Sequence, residues 1–148
     1  MRVYVATSWR NIYFDDVVRS LEEDGHEVYD FKRTSGAAFG WSQIDPEWQG
    51  WSTNEFIDAL HHPRARAGFR SDMGALACCD ALVLVLPCGR SAHLEAGWAV
   101  GAGKKVIVYS PEPCEAELMY RMCAFVTSRF ADVFRALRVW EGRHKDNV

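Results

Sequence analysis

Residues 81–108 read ALVLVLPCGRSAHLEAGWAVGAGKKVIV, and this stretch decides the fold. Residues 81–86 are nearly all aliphatic, the pattern of a parallel strand buried on both faces, and residues 105–109 repeat it after a helical run at 92–102. Strand, tight polar turn, helix and strand in so short a span form one right-handed crossover unit. Open parallel sheets bind ligands beyond the carboxyl ends of their strands, so this unit aims Gly89, Arg90, Ser91 and Glu95 at such a place.

Working outward, residues 3–6 are short, apolar and β-branched, and Thr7-Ser8-Trp9-Arg10-Asn11 follows as a polar turn able to cap a helix. Phe14, Val17, Val18 and Leu21 then fall at helical spacing and Gly25 ends the element, before a second strand at 26–31. Ser52-Thr53-Asn54-Glu55 has the form of a capping box opening a short helix to His61. Pro63 begins the next helix, which runs toward Cys79 and is closed by Asp80. Downstream, Pro111 and Pro113 mark a turn, followed by a helical stretch at 115–122, an edge strand at 124–127 and a last helix at 128–138. The polar tail at 141–148 is expected to fray. Alternating strands and helices imply one α/β domain over residues 1–148, a flavodoxin-like three-layer sandwich on a five-stranded parallel sheet in the order 2-1-3-4-5. In that order the first and third strands adjoin, so Ser8, Arg10 and Asn11 should face Gly89, Arg90, Ser91 and Glu95.

The totals exclude several function classes. The 148 residues carry a formal net charge of -3, which offers no basic footprint for a nucleic-acid polymer. No apolar run approaches the roughly 20 residues that cross a bilayer, and Met1-Arg2-Val3-Tyr4 leads into a strand pattern rather than a signal peptide, so a cytoplasmic protein without membrane contact is expected. The five cysteines, with Cys78 and Cys79 adjacent, match no C-x-x-C spacing and read as reduced core thiols. His61-His62 and His93 lack metal-ligand spacing with a matching acid or cysteine, so no metal site is expected.

Between residues 32 and 51 the periodicity dissolves into glycine, serine, proline and aromatic residues. A compact domain seldom carries so long a loop unless it is disordered or functional, and disordered segments are poor in aromatics. Phe39, Trp41, Trp48 and Trp51 therefore either line a ligand pocket or cover the sheet edge.

Two acids stand out. Glu95 lies in the first turn of the 92–102 helix among Ala92, Ala96, Gly97, Ala99, Gly101 and Ala102. There it either satisfies the helix end or serves as an ionised nucleophile or base that a ligand can approach closely. Asp72, two turns before Asp80, is by itself a solvated or salt-bridged acid; opposite Glu95 it would hold or protonate a leaving group. Ser8, Arg10 and Asn11 lack the glycine pattern of a dinucleotide fingerprint or P-loop, and serve equally as phosphate or sugar ligands or, through Ser8, as a helix cap.

Taken together these residues resemble the nucleoside 2-deoxyribosyltransferase superfamily, which includes nucleoside transferases and 5'-monophosphate N-glycosidases. The resemblance runs over residues 3–122 and rests on Ser8-Trp9-Arg10, on the helix bearing Asp72 and Asp80, and on Glu95 to Lys104, which matches the family's E-x-G-x-A-x-x-x-G-K pattern. It implies that Glu95 attacks the anomeric carbon to form a glycosyl-enzyme, that Asp72 supports the base or its proton, and that no metal or organic cofactor is needed. It also implies a homodimer or higher homo-oligomer, because family transferases complete each site with an N-x-M segment from a neighbouring subunit, and Glu117-Leu118-Met119 falls there.

This chain departs from the family twice, with Glu117 in place of Asn and Gly89 where transferases often carry Asp and phosphate-binding members Ser. Arg10, Arg90 and Ser91 favour a 5'-phosphate, whereas Glu117 would repel one. The implied function is cleavage or transfer of the N-glycosidic bond of a (deoxy)nucleoside or nucleoside 5'-monophosphate. The alternatives are a non-catalytic nucleotide-binding or sensor module and a nicotinamide-dinucleotide glycohydrolase.

Overall fold

The computed structural model describes residues 1–33 and 38–145, the last three by their backbone alone. The chain packs as two compact units, one of Met1–Asp30 with Cys78–Val148 and one of Phe31–Ala77.

The described residues of the first unit form five strands and three helices: β1 (Arg2–Ala6), α1 (Phe14–Glu23), β2 (Glu27–Tyr29), β3 (Ala81–Val85), then, numbering past the two helices of the second unit, α4 (Arg90–Gly101), β4 (Lys105–Tyr109), β5 (Phe125–Thr127) and α5 (Phe130–Lys145). The second unit holds α2 (Thr53–Ala59) and nearly all of α3 (Pro63–Cys78). Every strand pairs in parallel, in the order β2-β1-β3-β4-β5. The sheet is therefore the flavodoxin-like one expected.

All five residues of β3 are buried, and it pairs in register with β1 (Val3 with Ala81 to Ala6 with Leu84) and with β4 (Ala81 with Lys105 to Val85 with Tyr109). Burying one such aliphatic side chain contributes about 1.5–3 kcal/mol, so the continuous run at β3 is the anchor of this unit. From β1 the chain crosses to β2 on one side, and from β3 to β4 on the other, so right-handed crossovers place α1 and α4 on opposite faces. α1 buries Phe14, Val17, Val18 and Leu21. It is terminated by Gly25 at φ 87°, a left-handed conformation that a glycine adopts without a Cβ penalty. α5 buries Val133 and Leu137, and Arg138 pairs with Asp24 just after α1, which puts α5 on the α1 face.

Several boundaries differ from the sequence expectation. α4 begins at Arg90, two residues earlier than its apolar pattern suggests, because Gly89 serves as its N-cap. Glu95 consequently lies in the second turn, and no acid occupies the first. The stretch at 115–122 is irregular up to Glu117 and then forms a 3-10 turn at Leu118–Met122, and α5 continues through Lys145, into the tail expected to fray; the remainder of that tail lies outside the described residues. Among the cysteines only Cys79 is buried, Cys88 and Cys123 are half-buried, and Cys78 and Cys114 are exposed, which corrects their reading as core thiols.

In the second unit the capping box at Ser52 is present: its Oγ accepts from the Glu55 N–H at 3.3 Å, and Glu55 Oε2 accepts from the Ser52 N–H at 2.7 Å. The segment between residues 38 and 51 contains two 3-10 turns, Trp41–Gln43 and Trp48–Gly50, while the part of the aromatic loop at 34–37 lies outside the described residues. Trp41 is the hub of an aromatic cluster, meeting Phe39, Trp51 and Phe56 edge-on at centroid distances of 4.8, 5.8 and 6.0 Å. α3 approaches this cluster through Gly68, where an added Cβ would lie 2.8 Å from that of Phe39. Among the described residues no helix is long and apolar enough to cross a membrane.

Candidate active site

Two turns leave the carboxyl ends of adjacent strands β1 and β3. In the first, Asn11 is buried, and its Nδ2 donates to Thr7 Oγ1 at 2.9 Å and to the Pro87 carbonyl at 3.0 Å, with the Val85 carbonyl at 3.2 Å. Thr7 Oγ1 in turn donates to the Val85 carbonyl at 2.7 Å. Asn11 Oδ1 accepts from the Tyr13 N–H at 2.7 Å, an Asx turn that leads the chain into α1. The side-chain amide of Asn11 thus joins the two turns and launches a helix. Ser8 Oγ accepts from the Arg10 N–H at 3.3 Å, so Ser8 braces its own turn instead of capping α1, and Arg10 is exposed.

The second turn ends at Gly89, the N-cap of α4, and Gly89, Arg90 and Ser91 are all exposed at the start of that helix. The small residues of α4 divide by role. Ala92, Ala96 and Ala99 are buried, whereas an added Cβ at Gly97 or Gly101 would meet nothing within 4 Å. Lys104, the last residue of the Glu95 pattern, works at the opposite end of the sheet, where its Nζ donates to the Cys79 carbonyl at 2.7 Å. Glu95 itself is half-buried. Its place in the second turn removes the reading in which it merely satisfies the helix end, because the pull of the helix terminus fades beyond the first turn.

The charge of Glu95 reaches Cys88. Burial first, and Glu95 second, push the Cys88 thiol up to about 11, which keeps it protonated and unreactive at neutral pH. Cys88 lines a cavity of about 380 Å³ together with His93, Glu115, Glu117 and Tyr120. That volume falls within the range of small-molecule sites. His93 Nδ1 lies 2.8 Å from the Gly89 carbonyl and Nε2 lies 2.9 Å from the Tyr120 hydroxyl, with the two rings stacked at 5.8 Å. Burial pushes the Tyr120 phenol up to about 12, so it stays a hydrogen-bond donor.

Glu117 caps the 3-10 turn by accepting from the Met119 N–H at 2.8 Å, and it lines the cavity of its own chain; Met119 is exposed. Asp72, on α3, and Trp41 belong to the second unit. Thr7, His93 and Tyr120 were not singled out as binding or positioning residues from the sequence. The available signal was the four-residue step from Gly89 to His93, which brings a helical side chain back over its N-cap. Among the described residues no group of three or more His, Cys, Asp and Glu side chains is arranged to hold a metal ion.

No protein-family model matches the chain, and no curated protein matches it in sequence. Among solved structures, a 2-deoxyribosyltransferase of Bacillus psychrosaccharolyticus is similar with a TM-score of 0.62 and 18% identity, over 90% of this chain and 90% of that one. The CMP N-glycosidase of Clostridium botulinum is similar with a TM-score of 0.53 and 19% identity, over 93% of this chain and 99% of that one. The chain shares its fold with these two structures. At these identities the likeness is one of fold.

Proposed function

We propose that the protein cleaves or transfers the N-glycosidic bond of a (deoxy)nucleoside or nucleoside 5'-monophosphate, with Glu95 as nucleophile and residues 1–148 acting as one functional domain. The observation that carries this reading is the place of Glu95: a half-buried carboxylate in the second turn of α4, next to a cavity-lining thiol, where helix-end chemistry does not account for it. A carboxylate oxygen attacks the anomeric carbon, the bond to the base nitrogen breaks with its electron pair leaving on the base, and a glycosyl ester forms. The departing base takes up a proton, the step in which the family resemblance gives Asp72 its part. Water then releases the sugar, or a second base accepts it, so one intermediate serves hydrolysis and transfer alike.

Residues 89–91 and Arg10 are read as the 5' side of the site, and Trp41 as a base-stacking ring. Asn11 acts as the scaffold that holds the turns. Arg10, Arg90 and Ser91 suit a phosphate, while Glu115 and Glu117 in the cavity wall oppose one, so both substrate classes belong in the test. Leu118, Met119 and Met122 are 74%, 54% and 50% exposed, which supports a homo-oligomer that covers this apolar edge. Light scattering showing a monomer would overturn that part.

Incubation with a panel of nucleosides and 5'-monophosphates, with and without a free acceptor base, tests the reading. Base release or exchange that disappears in Glu95→Gln is the expected result. Tight binding by calorimetry without base release would instead establish a nucleotide-binding module, the second reading, which the absence of any side chain at Gly89 favours.

A further inference from the structure

We propose that His93 and Tyr120 are positioning residues of this site, a two-ring clamp that fixes the Gly89 peptide and ties the β3–α4 turn to the 3-10 turn at Leu118–Met122. The inference rests on reading the cavity lined by Cys88, whose thiol feels the charge of Glu95, as the substrate site.

Gly89 is the N-cap of α4 and makes no side-chain capping bond. Sterics do not hold it either, since an added Cβ would meet nothing within 4 Å, and glycine is the residue most free to rotate. The Gly89 end of the turn therefore needs a restraint beyond the Asn11 bond to Pro87. His93 supplies it twice, with its backbone N–H 3.4 Å from the Gly89 carbonyl and its ring Nδ1 2.8 Å from the same oxygen. A carbonyl oxygen only accepts, so Nδ1 carries a proton, and in the neutral tautomer that this selects Nε2 presents a lone pair. The Tyr120 hydroxyl, 2.9 Å away, donates to that lone pair.

The relay from Gly89 through His93 to Tyr120 joins segments 27 residues apart in sequence, and the near-parallel stacking of the rings at 13° holds the hydroxyl in line. Both rings line the cavity, so the clamp also sets the spacing of two of its walls. With the Gly89 carbonyl held by His93, rotation of that peptide into the cavity is closed off. The Gly89 to Ser91 segment, read as the 5' side of the site, then meets the ligand in one conformation, which lowers the ordering cost of binding and leaves the bond-breaking step unchanged.

Two conservative substitutions separate the parts. Tyr120→Phe keeps the stacked ring and removes the hydroxyl, while His93→Asn keeps a donor near Nδ1 and removes Nε2. Each is expected to raise KM for the best substrate about fivefold with kcat nearly unchanged, the effect of losing one hydrogen bond. The double variant should be no worse than either single one, because both break the same link. Independently of activity, nitrogen-15 shifts should show His93 protonated on Nδ1 and bare on Nε2, and Tyr120→Phe should speed amide exchange at residues 89–92 and 118–122. A proton on Nε2, or a Tyr120→Phe variant with unchanged exchange, would overturn the clamp, as would additive losses in the double variant. An inactive native protein with the expected tautomer and exchange would refute the glycosidic reading and leave the clamp standing as a restraint on the turn.

Discussion

The turns after β1 and β3 stand at the carboxyl ends of neighbouring strands and are held in opposite ways. The first is closed from within, by a buried Asn11 whose amide bonds Thr7, Pro87 and its own Asx turn. The second shares the Asn11 bond at its Pro87 start, but its Gly89 end carries no side chain and is restrained by His93 and Tyr120, which also line the cavity. The difference teaches which turn is scaffold and which meets the ligand. A turn fixed by buried hydrogen bonds cannot change without unfolding, whereas one restrained by cavity-lining rings can be tuned without disturbing the sheet.

The comparison breaks most visibly at Glu95, which the second turn presents. Glu95→Gln should lower kcat by on the order of 10³-fold or more while leaving the thermal midpoint nearly unmoved, measured by base release and calorimetry on the same preparation. A large loss of stability would make Glu95 part of the scaffold instead. Next in size is Asn11→Ala, which leaves the Pro87 carbonyl and the Tyr13 N–H without their partner and should cost about 2–4 kcal/mol in urea unfolding. Any loss of activity in that variant should track the loss of folded protein.

At the far end of the sheet, His26 provides a test that neither turn influences. Its ring is buried and accepts from the Met1 ammonium, 3.4 Å from Nδ1; burial, and then that ammonium, hold its pKa below the ordinary 6.5. The unfolded chain therefore binds a proton more readily than the folded one. The contribution of His26 to stability is complete above the unfolded value and is lost as pH falls below 6.5 through the folded value. Urea midpoints measured between neutral and mildly acidic pH should fall in the native protein and fall less in His26→Gln. The smallest effect is expected at Gly89→Ala. Its φ of -92° suits alanine and no neighbour obstructs a Cβ, so stability should change by no more than about 0.5 kcal/mol, and any consequence should appear in KM.

What could be read from the sequence follows the range of the forces involved. The β3 run, the α1 stripe ending at Gly25 and the Ser52 capping box are local patterns, and each forms where the residues indicate. The start of α4 was displaced because Arg90 and Ser91 look like turn residues and only the N-cap conformation of Gly89 reveals them as helical. The stretch at 115–122 has helical composition, but Leu118, Met119 and Met122 are exposed, and without a buried stripe it closes only as a 3-10 turn. Asn11 resembles a ligand-binding residue in sequence because its acceptors at Val85 and Pro87 lie 74 and 76 residues away. The same distance problem hid the pairing of His93 with Tyr120, whereas Glu95 was visible because a short motif surrounds it.

The central claim, that Glu95 carries the sugar during turnover, is tested most directly by acid-quenching the reaction within its first turnover and mapping peptides by mass spectrometry. The peptide containing Glu95 should gain the mass of one ribosyl or deoxyribosyl group, and the gain should vanish on longer incubation with water or an acceptor base. Base release with that peptide unmodified, or with the sugar on another residue, would contradict it.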